Sequence, residues 1–213
     1  MSADKIRILL VDDHGVVRNG IRLMLGAAHD IEVAGEAATA QDALQFANEH
    51  KVDVVLVDIN LPDKSGLDLI KRLRTLKPNI AAVVLTAYPE ETYALRAFKY
   101  GAAGYLNKNS STEVIIAAVR KAAAGGKYLT PETMERFASM ISGDKVGSHE
   151  MLSDRELEVL KRLAEGESLV GIAAQLHLSP STVTTYRARV LEKMGMKSNA
   201  ELTRYAIEHG LLG

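Results

Sequence analysis

Five times before residue 125, a short run of branched apolar residues is followed by a stretch whose apolar residues recur at helical spacing. The runs are Ile6 to Val11, Val33 to Ala37, Val52 to Val57, Ile80 to Leu85 and Tyr105 to Leu106. The stretches between and after them cover about Val16 to Leu25, Ala40 to His50, Leu67 to Leu76, Glu90 to Tyr100 and Thr112 to Ala124. Nearly continuous apolar runs belong to strands buried on both faces, and strict alternation with helices supplies the covering layers. The pattern predicts a doubly wound, five-stranded parallel α/β domain over residues 1–125.

Gly125-Gly126 ends the fifth helix, and Thr130-Pro131-Glu132-Thr133 opens a modest helix toward Met140. Residues 142–148, Ser-Gly-Asp-Lys-Val-Gly-Ser, lack periodicity and read as a flexible connector, so 126–148 is expected to be a linker with a short helix. From 149 to 213 the pattern is wholly helical. Ser153-Asp154-Arg155-Glu156 has capping-box spacing before Leu157, Leu160 and Leu163, and Gly166 closes that helix. A second helix covers about Ser168 to Leu176, then His177-Leu178-Ser179 turns the chain. Ser179 caps a third helix with Pro180 at its first position and Gly195 near its end; Asn199 opens a fourth, through His209.

In open α/β sheets, ligands bind beyond the carboxyl ends of the strands. Here the first strand ends in Asp12-Asp13, the third in Asp58 and the fourth in Thr86, and Lys108 follows the fifth. Taken singly, an aspartate there caps a helix, Thr86 ends a strand and Lys108 is a solvated charge. Taken together, clustered carboxylates repel and call for a cation, and hard oxygen ligands with positions left for water and phosphate suit Mg²⁺ better than zinc. A carboxylate so neutralised can attack phosphorus, Lys108 adds a point charge, and Thr86 adds a hydroxyl donor for phosphoryl oxygens.

These residues, in this order, resemble the receiver domain of two-component response regulators over about residues 5 to 125. Asp12-Asp13 match the family's acidic pair, and Asp58, within Leu56-Val57-Asp58-Ile59-Asn60-Leu61-Pro62, matches its phosphoacceptor. Thr86-Ala87 match the switch hydroxyl, Tyr105 the switch aromatic and Lys108 the family's lysine. The resemblance implies Mg²⁺ held by Asp13, Asp58 and the backbone carbonyl of Asn60, with Asp12 acting through water. It also implies that phosphorylation recruits Thr86 toward Asp58 and vacates space that Tyr105 fills; on its own, Tyr105 reads as a core-edge aromatic. Asn109 stands where many receivers carry proline, and Asn60 and Tyr88 occupy positions that the resemblance links to hydrolysis rate.

The 213 residues carry 26 Lys plus Arg against 27 Asp plus Glu, a net charge of -1, so bulk charge does not draw this chain to nucleic acid. A local patch does exist: between Ser179 and Lys197, Arg187, Arg189, Lys193 and Lys197 face only Glu192. The second and third helices, joined by a short turn, make a helix-turn-helix candidate. At about 100° per residue, Val183, Val190 and Met194 share a core face while Thr184, Thr185 and Ala188 point away. An ordinary surface helix would show the same small and charged residues. There is no cysteine, which removes disulfides and thiol chemistry, and no long apolar run, so a soluble intracellular protein without membrane contact is expected.

A second resemblance rests on Leu152-Ser153-Asp154-Arg155-Glu156-Leu157-Glu158-Val159-Leu160, Ile172-Ala173, Leu178-Ser179-Pro180-Ser181-Thr182-Val183 and Lys193-Met194-Gly195. These are similar to the LuxR-type DNA-binding domain, and with the receiver they give a response regulator of the NarL/FixJ type. Tyr186-Arg187 resembles the GacA/UvrY branch of that family. By resemblance Thr184, Thr185 and Ala188 face bases, while Thr182, Tyr186, Arg187 and Lys193 lie toward the DNA backbone. Departures stand at Leu169-Val170-Gly171, where the family often has Asn-Lys-Glu, and at Thr184 and Tyr186, where a lysine and a histidine are familiar. The resemblance implies a cytoplasmic, Mg²⁺-dependent phosphoprotein that takes its phosphoryl group from a sensor histidine kinase, dimerises when phosphorylated, and binds promoter DNA beside RNA polymerase. Leu202, Tyr205 and Ala206 on the last helix supply either a dimer contact or packing within their own domain. Two competing readings are a phosphatase with an aspartyl-phosphate intermediate, which would want an acid where Asn60 stands, and a degenerate receiver working by protein contact alone.

Overall fold

A computed structural model describes residues 5–88, 90–131, 133–135, 149–176 and 178–212, without the side chains of residues 90–92. The chain divides into two compact units, the first built mainly from residues before 134 and the second mainly from those after it. The connector over 142–148, the rest of the helix expected to reach Met140, and His177 in the expected turn lie outside the described residues.

The first unit runs β1 Ile6–Val11, α1 Gly15–Leu25, β2 Ile31–Ala37, α2 Ala40–Glu49, β3 Val54–Val57, α3 Gly66–Leu76, β4 Ala81–Thr86, α4 Glu90–Tyr100, β5 Gly104–Asn107 and α5 Thr112–Ala123. The sheet is parallel throughout, in the order β2-β1-β3-β4-β5. Chain direction across the sheet reverses after β2, so the crevice between the carboxyl ends of β1 and β3 is the switch point where such sheets place ligands. Every residue of β3 and the last four of β1 are buried, as strands covered on both faces must be. Burial of each such Val or Leu contributes about 1.5–3 kcal/mol.

The register levels the strand ends. Val11 pairs with Val57, Val57 with Val84, and Thr86 with Asn107. Three hydrogen bonds carry the ladder one residue past the strands: Asp12 N–H to the Ala37 carbonyl at 3.1 Å, Asp58 N–H to that of Val11 at 2.8 Å and Lys108 N–H to that of Thr86 at 2.8 Å. β3 starts at Val54 rather than Val52 because Asp53 uses its side chain to accept from the Arg7 amide at 2.8 Å. Helices α2, α3 and α5 are capped by Thr39, Ser65 and Ser111.

The second unit holds a 3-10 turn over His149–Met151 and the helices α6 Asp154–Ala164, α7 Leu169–Gln175, α8 Pro180–Met194 and α9 Asn199–Glu208. The capping box forms in full: the Ser153 side chain accepts from Glu156 N–H, and the Glu156 carboxylate accepts from Ser153 N–H at 2.7 Å. Gly195 ends α8 in the left-handed region at φ 65°. Leu160, Ile172, Val183, Val190 and Leu202 are fully buried at the centre of the unit. On α9, Leu202 and Ala206 are sealed in this core, and the Tyr205 hydroxyl lies 2.9 Å from His149 Nδ1. Within the single chain the apolar stripe of Leu202 and Ala206 packs in its own domain, closing the groove beside α6. Among the described residues, no helix is long and apolar enough to cross a membrane.

Candidate functional site

Aspartates ending β1 and β3 meet at the switch point. Asp12 and Asp58 are buried, while Asp13 is exposed. Lys108, on the loop after β5, reaches across β4 and places Nζ 2.6 Å from Asp12 Oδ2 and 2.7 Å from Asp58 Oδ2. Burial works against the lysine's charge, but hydrogen bonds and attraction from both carboxylates hold its pKa above the ordinary value. It therefore stays cationic, and both acids keep a counter-ion. Thr86, at the end of β4, is 1% exposed.

The carboxylate of Asp58 is used on one side only. Its Oδ2 receives Lys108, whereas Oδ1 is buried with no hydrogen-bond partner among the described residues, and so is Thr86 Oγ1. An unsatisfied buried polar atom costs about 1–3 kcal/mol, a cost that a site built to take a ligand carries until the ligand arrives. Ligand atoms from Asp12, Asp13, Asp58 and His14 lie within 4.8 Å of one another. Clustered carboxylate oxygens with one valence unused fit a hard divalent cation. Asn60 is exposed on the loop two residues past Asp58.

Three supporting residues escaped the sequence analysis. His14 donates its amide to Asp12 Oδ1 at 2.8 Å and sets Nδ1 2.7 Å from Asp13 Oδ1; its adjacency to the acid pair was the available signal. Arg18 donates from Nη1 to the Asp12 carbonyl and from Nε to Glu36 Oε2 at 3.0 Å, which pins the acidic turn to β2. Asp63 accepts from the amides of Ala40 and Gln41 at 2.9 and 3.0 Å, tying the loop after Asp58 to the start of α2. Burial raises the Asp63 pKa, but those amides outweigh it and hold it low.

Tyr105 is 2% exposed, and its hydroxyl donates to the Tyr88 carbonyl at 3.2 Å. The ring thus occupies interior space, anchored to the segment that begins with Thr86.

In the second unit α8 presents Thr184, Thr185 and Ala188 to solvent, with Val183, Val190 and Met194 buried beneath. Thr182, Tyr186 and Arg187 are half-buried at its margins. Its cations differ in their engagements. Arg187 Nε donates to Asn199 Oδ1 at 2.7 Å, Lys193 Nζ to Glu156 Oε2 at 2.7 Å, and Arg189 is exposed. Glu156 is 3% exposed: burial opposes its charge, but Lys193 and the Ser153 amide hold its pKa below the ordinary value.

Comparison with known proteins matches residues 8–120 to the response regulator receiver domain and residues 150–206 to the bacterial regulatory proteins of the luxR family. The chain is 36% identical over 209 residues to the response regulator GacA of Pseudomonas aeruginosa, covering 97% of this chain and 98% of that one. It is 36% identical over 208 residues to the response regulator UvrY of Escherichia coli, covering 97% and 95%. Among solved structures, the RcsB response regulator of Salmonella typhimurium superposes with a TM-score of 0.74 over 97% of this chain and 98% of that one, at 23% identity, which speaks to fold alone.

Proposed function

Since the chain belongs to the two-component response regulators that join a receiver to a luxR-family DNA-binding domain, we propose that Asp58 is its phosphoacceptor and α8 its DNA-reading helix. It is a transcription regulator governed by phosphorylation rather than an enzyme, which disposes of the phosphatase reading. The division proposed is a receiver over 1–125, a linker over 126–148 and a DNA-binding domain over 149–213.

The unpaired Oδ1 of Asp58 carries the chemical assignment. Lys108 immobilises Oδ2, leaving Oδ1 as the nucleophile. A bond forms from Oδ1 to phosphorus as the bond from phosphorus to the donor's leaving atom breaks, and Thr86 Oγ1 turns its proton to a phosphoryl oxygen. Lys108, already charged, offsets the added negative charge. Asp12, Asp13, Asp58 and the Asn60 carbonyl would hold Mg²⁺, which supplies charge neutralisation for the phosphoryl oxygens. His14 and Arg18 keep the acidic turn in shape. Because Tyr105 hangs from the Tyr88 carbonyl, movement of Thr86 reaches the ring through residues 86–88 rather than through a swing from solvent.

In the second domain Thr184, Thr185 and Ala188 face bases, and Thr182, Tyr186, Arg187 and Lys193 lie toward the phosphates. One helix reads few base pairs, so phosphorylation acts by promoting a homodimer on paired half-sites of promoter DNA. A cytoplasmic sensor histidine kinase domain is the phosphodonor, and RNA polymerase the partner at the promoter. Treatment with acetyl phosphate and Mg²⁺ is expected to add one phosphoryl mass at Asp58 and to raise DNA affinity by about 5- to 150-fold. Equal mass, oligomeric state and affinity for the wild type and Asp58→Ala would overturn the assignment.

A further inference from the structure

Resting on the reading of α8 as the DNA-facing helix, we infer that its outward face selects thymine methyl groups and base amino groups, and is built against guanine. Thr184 Oγ1 donates to the Pro180 carbonyl at 2.9 Å, and Thr185 Oγ1 to the Ser181 carbonyl at 3.0 Å. Each hydroxyl has one proton, and each spends it on its own helix. What these side chains turn outward is a methyl group and an acceptor lone pair. Ala188 adds a third methyl, and Glu192, exposed one turn further along, adds only acceptors.

On a helical wheel at about 100° per residue, Ser181, Thr184, Thr185, Ala188 and Glu192 fall in one strip. No cation lies within it. Arg187, Lys193 and Arg189 flank it, the first two paired with Asn199 and Glu156 and the third exposed to solvent.

The major groove makes this composition selective. Guanine presents two acceptors, N7 and O6, and is read by donors, typically a forked arginine or a lysine. Adenine N6 and cytosine N4 present donors, and thymine presents a methyl group. A strip of methyls and lone pairs, with the Ser181 hydroxyl paired to Ser179 Oγ at 2.8 Å, complements the second set and meets the guanine edge acceptor to acceptor. Thr184, which turns a methyl outward and spends its only proton on the Pro180 carbonyl, is thus a specificity-determining position.

The test uses the full chain, activated with beryllium fluoride and Mg²⁺, on duplexes selected by that protein from a random library. Thymines are replaced singly by deoxyuridine, which removes only the methyl group, and guanines singly by 7-deazaguanine, which removes only N7. Deoxyuridine is expected to weaken binding about fourfold at one or more thymines of each half-site, the worth of one buried methyl. Thr184→Ser or Thr185→Ser, which keeps the hydroxyl and loses the methyl, is expected to abolish that sensitivity at one thymine. Deazaguanine is expected to be silent. Sensitivity to deazaguanine with indifference to deoxyuridine would overturn the inference. Ala188→Glu separates the two levels. If it leaves binding of the selected duplex intact, the DNA-facing assignment of α8 itself fails, and this inference with it; if it abolishes binding while deoxyuridine is silent, only the base chemistry falls.

Discussion

The acidic site and the outward face of α8 handle charge in opposite ways. At the first, residues up to 96 positions apart in the chain, Asp12 and Lys108, are drawn into contact beside Asp58 and Thr86, whose Oδ1 and Oγ1 are buried and unpaired among the described residues. At the second, neighbours on one helix stand in solvent, while two of the helix's cations are already engaged by Glu156 and Asn199. The receiver holds unsatisfied bonding capacity at Asp58 Oδ1 and Thr86 Oγ1, the atoms proposed to meet the phosphoryl group. The DNA-binding domain uses two of the cations of α8 for its own packing and keeps the helix's outward face small.

The largest expected effect tests whether Asp58 is held as firmly as this contrast requires. A Cβ added to Gly66 would stand 2.0 Å from the Asp58 carbonyl oxygen and 2.9 Å from its carbon. Backbone on both sides must yield, so Gly66→Ala is expected to lower stability by about 3 kcal/mol, the upper end of overpacking costs, and to slow phosphoryl uptake. Urea unfolding and the rate of phosphoryl incorporation measure both. Unchanged stability and rate would show that the phosphoacceptor loop is not braced against α3.

Two substitutions on α8 sharpen the other half of the comparison. Lys193→Ala deprives the buried Glu156 carboxylate of its cation, and since the lysine side chain is 40% exposed the expected loss is about 1–2 kcal/mol. Arg189→Ala is expected to leave stability within about 0.5 kcal/mol and to reduce the salt dependence of DNA binding by about one unit of slope. The slope should fall less for Lys193→Ala than for Arg189→Ala. The reverse order, read from affinities across a salt series, would mean that Lys193 leaves Glu156 for phosphate on binding.

Local periodicity made most of this legible. Apolar runs bounded the strands, and capping residues located the helix starts to within a residue or two, because both signals act over a few positions of chain. The acid pair, Asp58, Thr86 and Lys108 were readable for the same reason: each marks a strand end, and parallel register brings those ends level. Partners chosen by tertiary packing were not readable. Ser153 and Glu156 announce a capping box, yet nothing in that tetrapeptide tells that the same carboxylate also takes Lys193, 37 residues on. Nor does the spacing of Leu202, Tyr205 and Ala206 tell that Leu202 and Ala206 are sealed in their own domain's core while Tyr205 stays half-buried. Gly66 looks like an ordinary helix start until the Asp58 carbonyl is placed against it.

The smallest expected effect follows from that doubly used carboxylate. Glu156 titrates below its ordinary value of 4.5 in the folded domain, since burial, which opposes its charge, is outweighed by Lys193 and the Ser153 amide. As pH falls, an unfolded chain takes up this proton before the folded one does. The stabilisation is therefore whole above the ordinary glutamate range and is lost as pH drops through the folded value. Protonation leaves Glu156 neutral but still able to accept from Ser153 N–H, so less is lost than when Lys193 is removed. Amide hydrogen exchange in the first turn of α6, corrected for its intrinsic pH dependence, should show protection falling over that acid range in the full chain. Glu156→Gln should remove the pH step while keeping the cap, and Lys193→Ala should shrink it. An equal step in all three proteins would assign the acid sensitivity to another carboxylate and return Glu156 to a capping role alone.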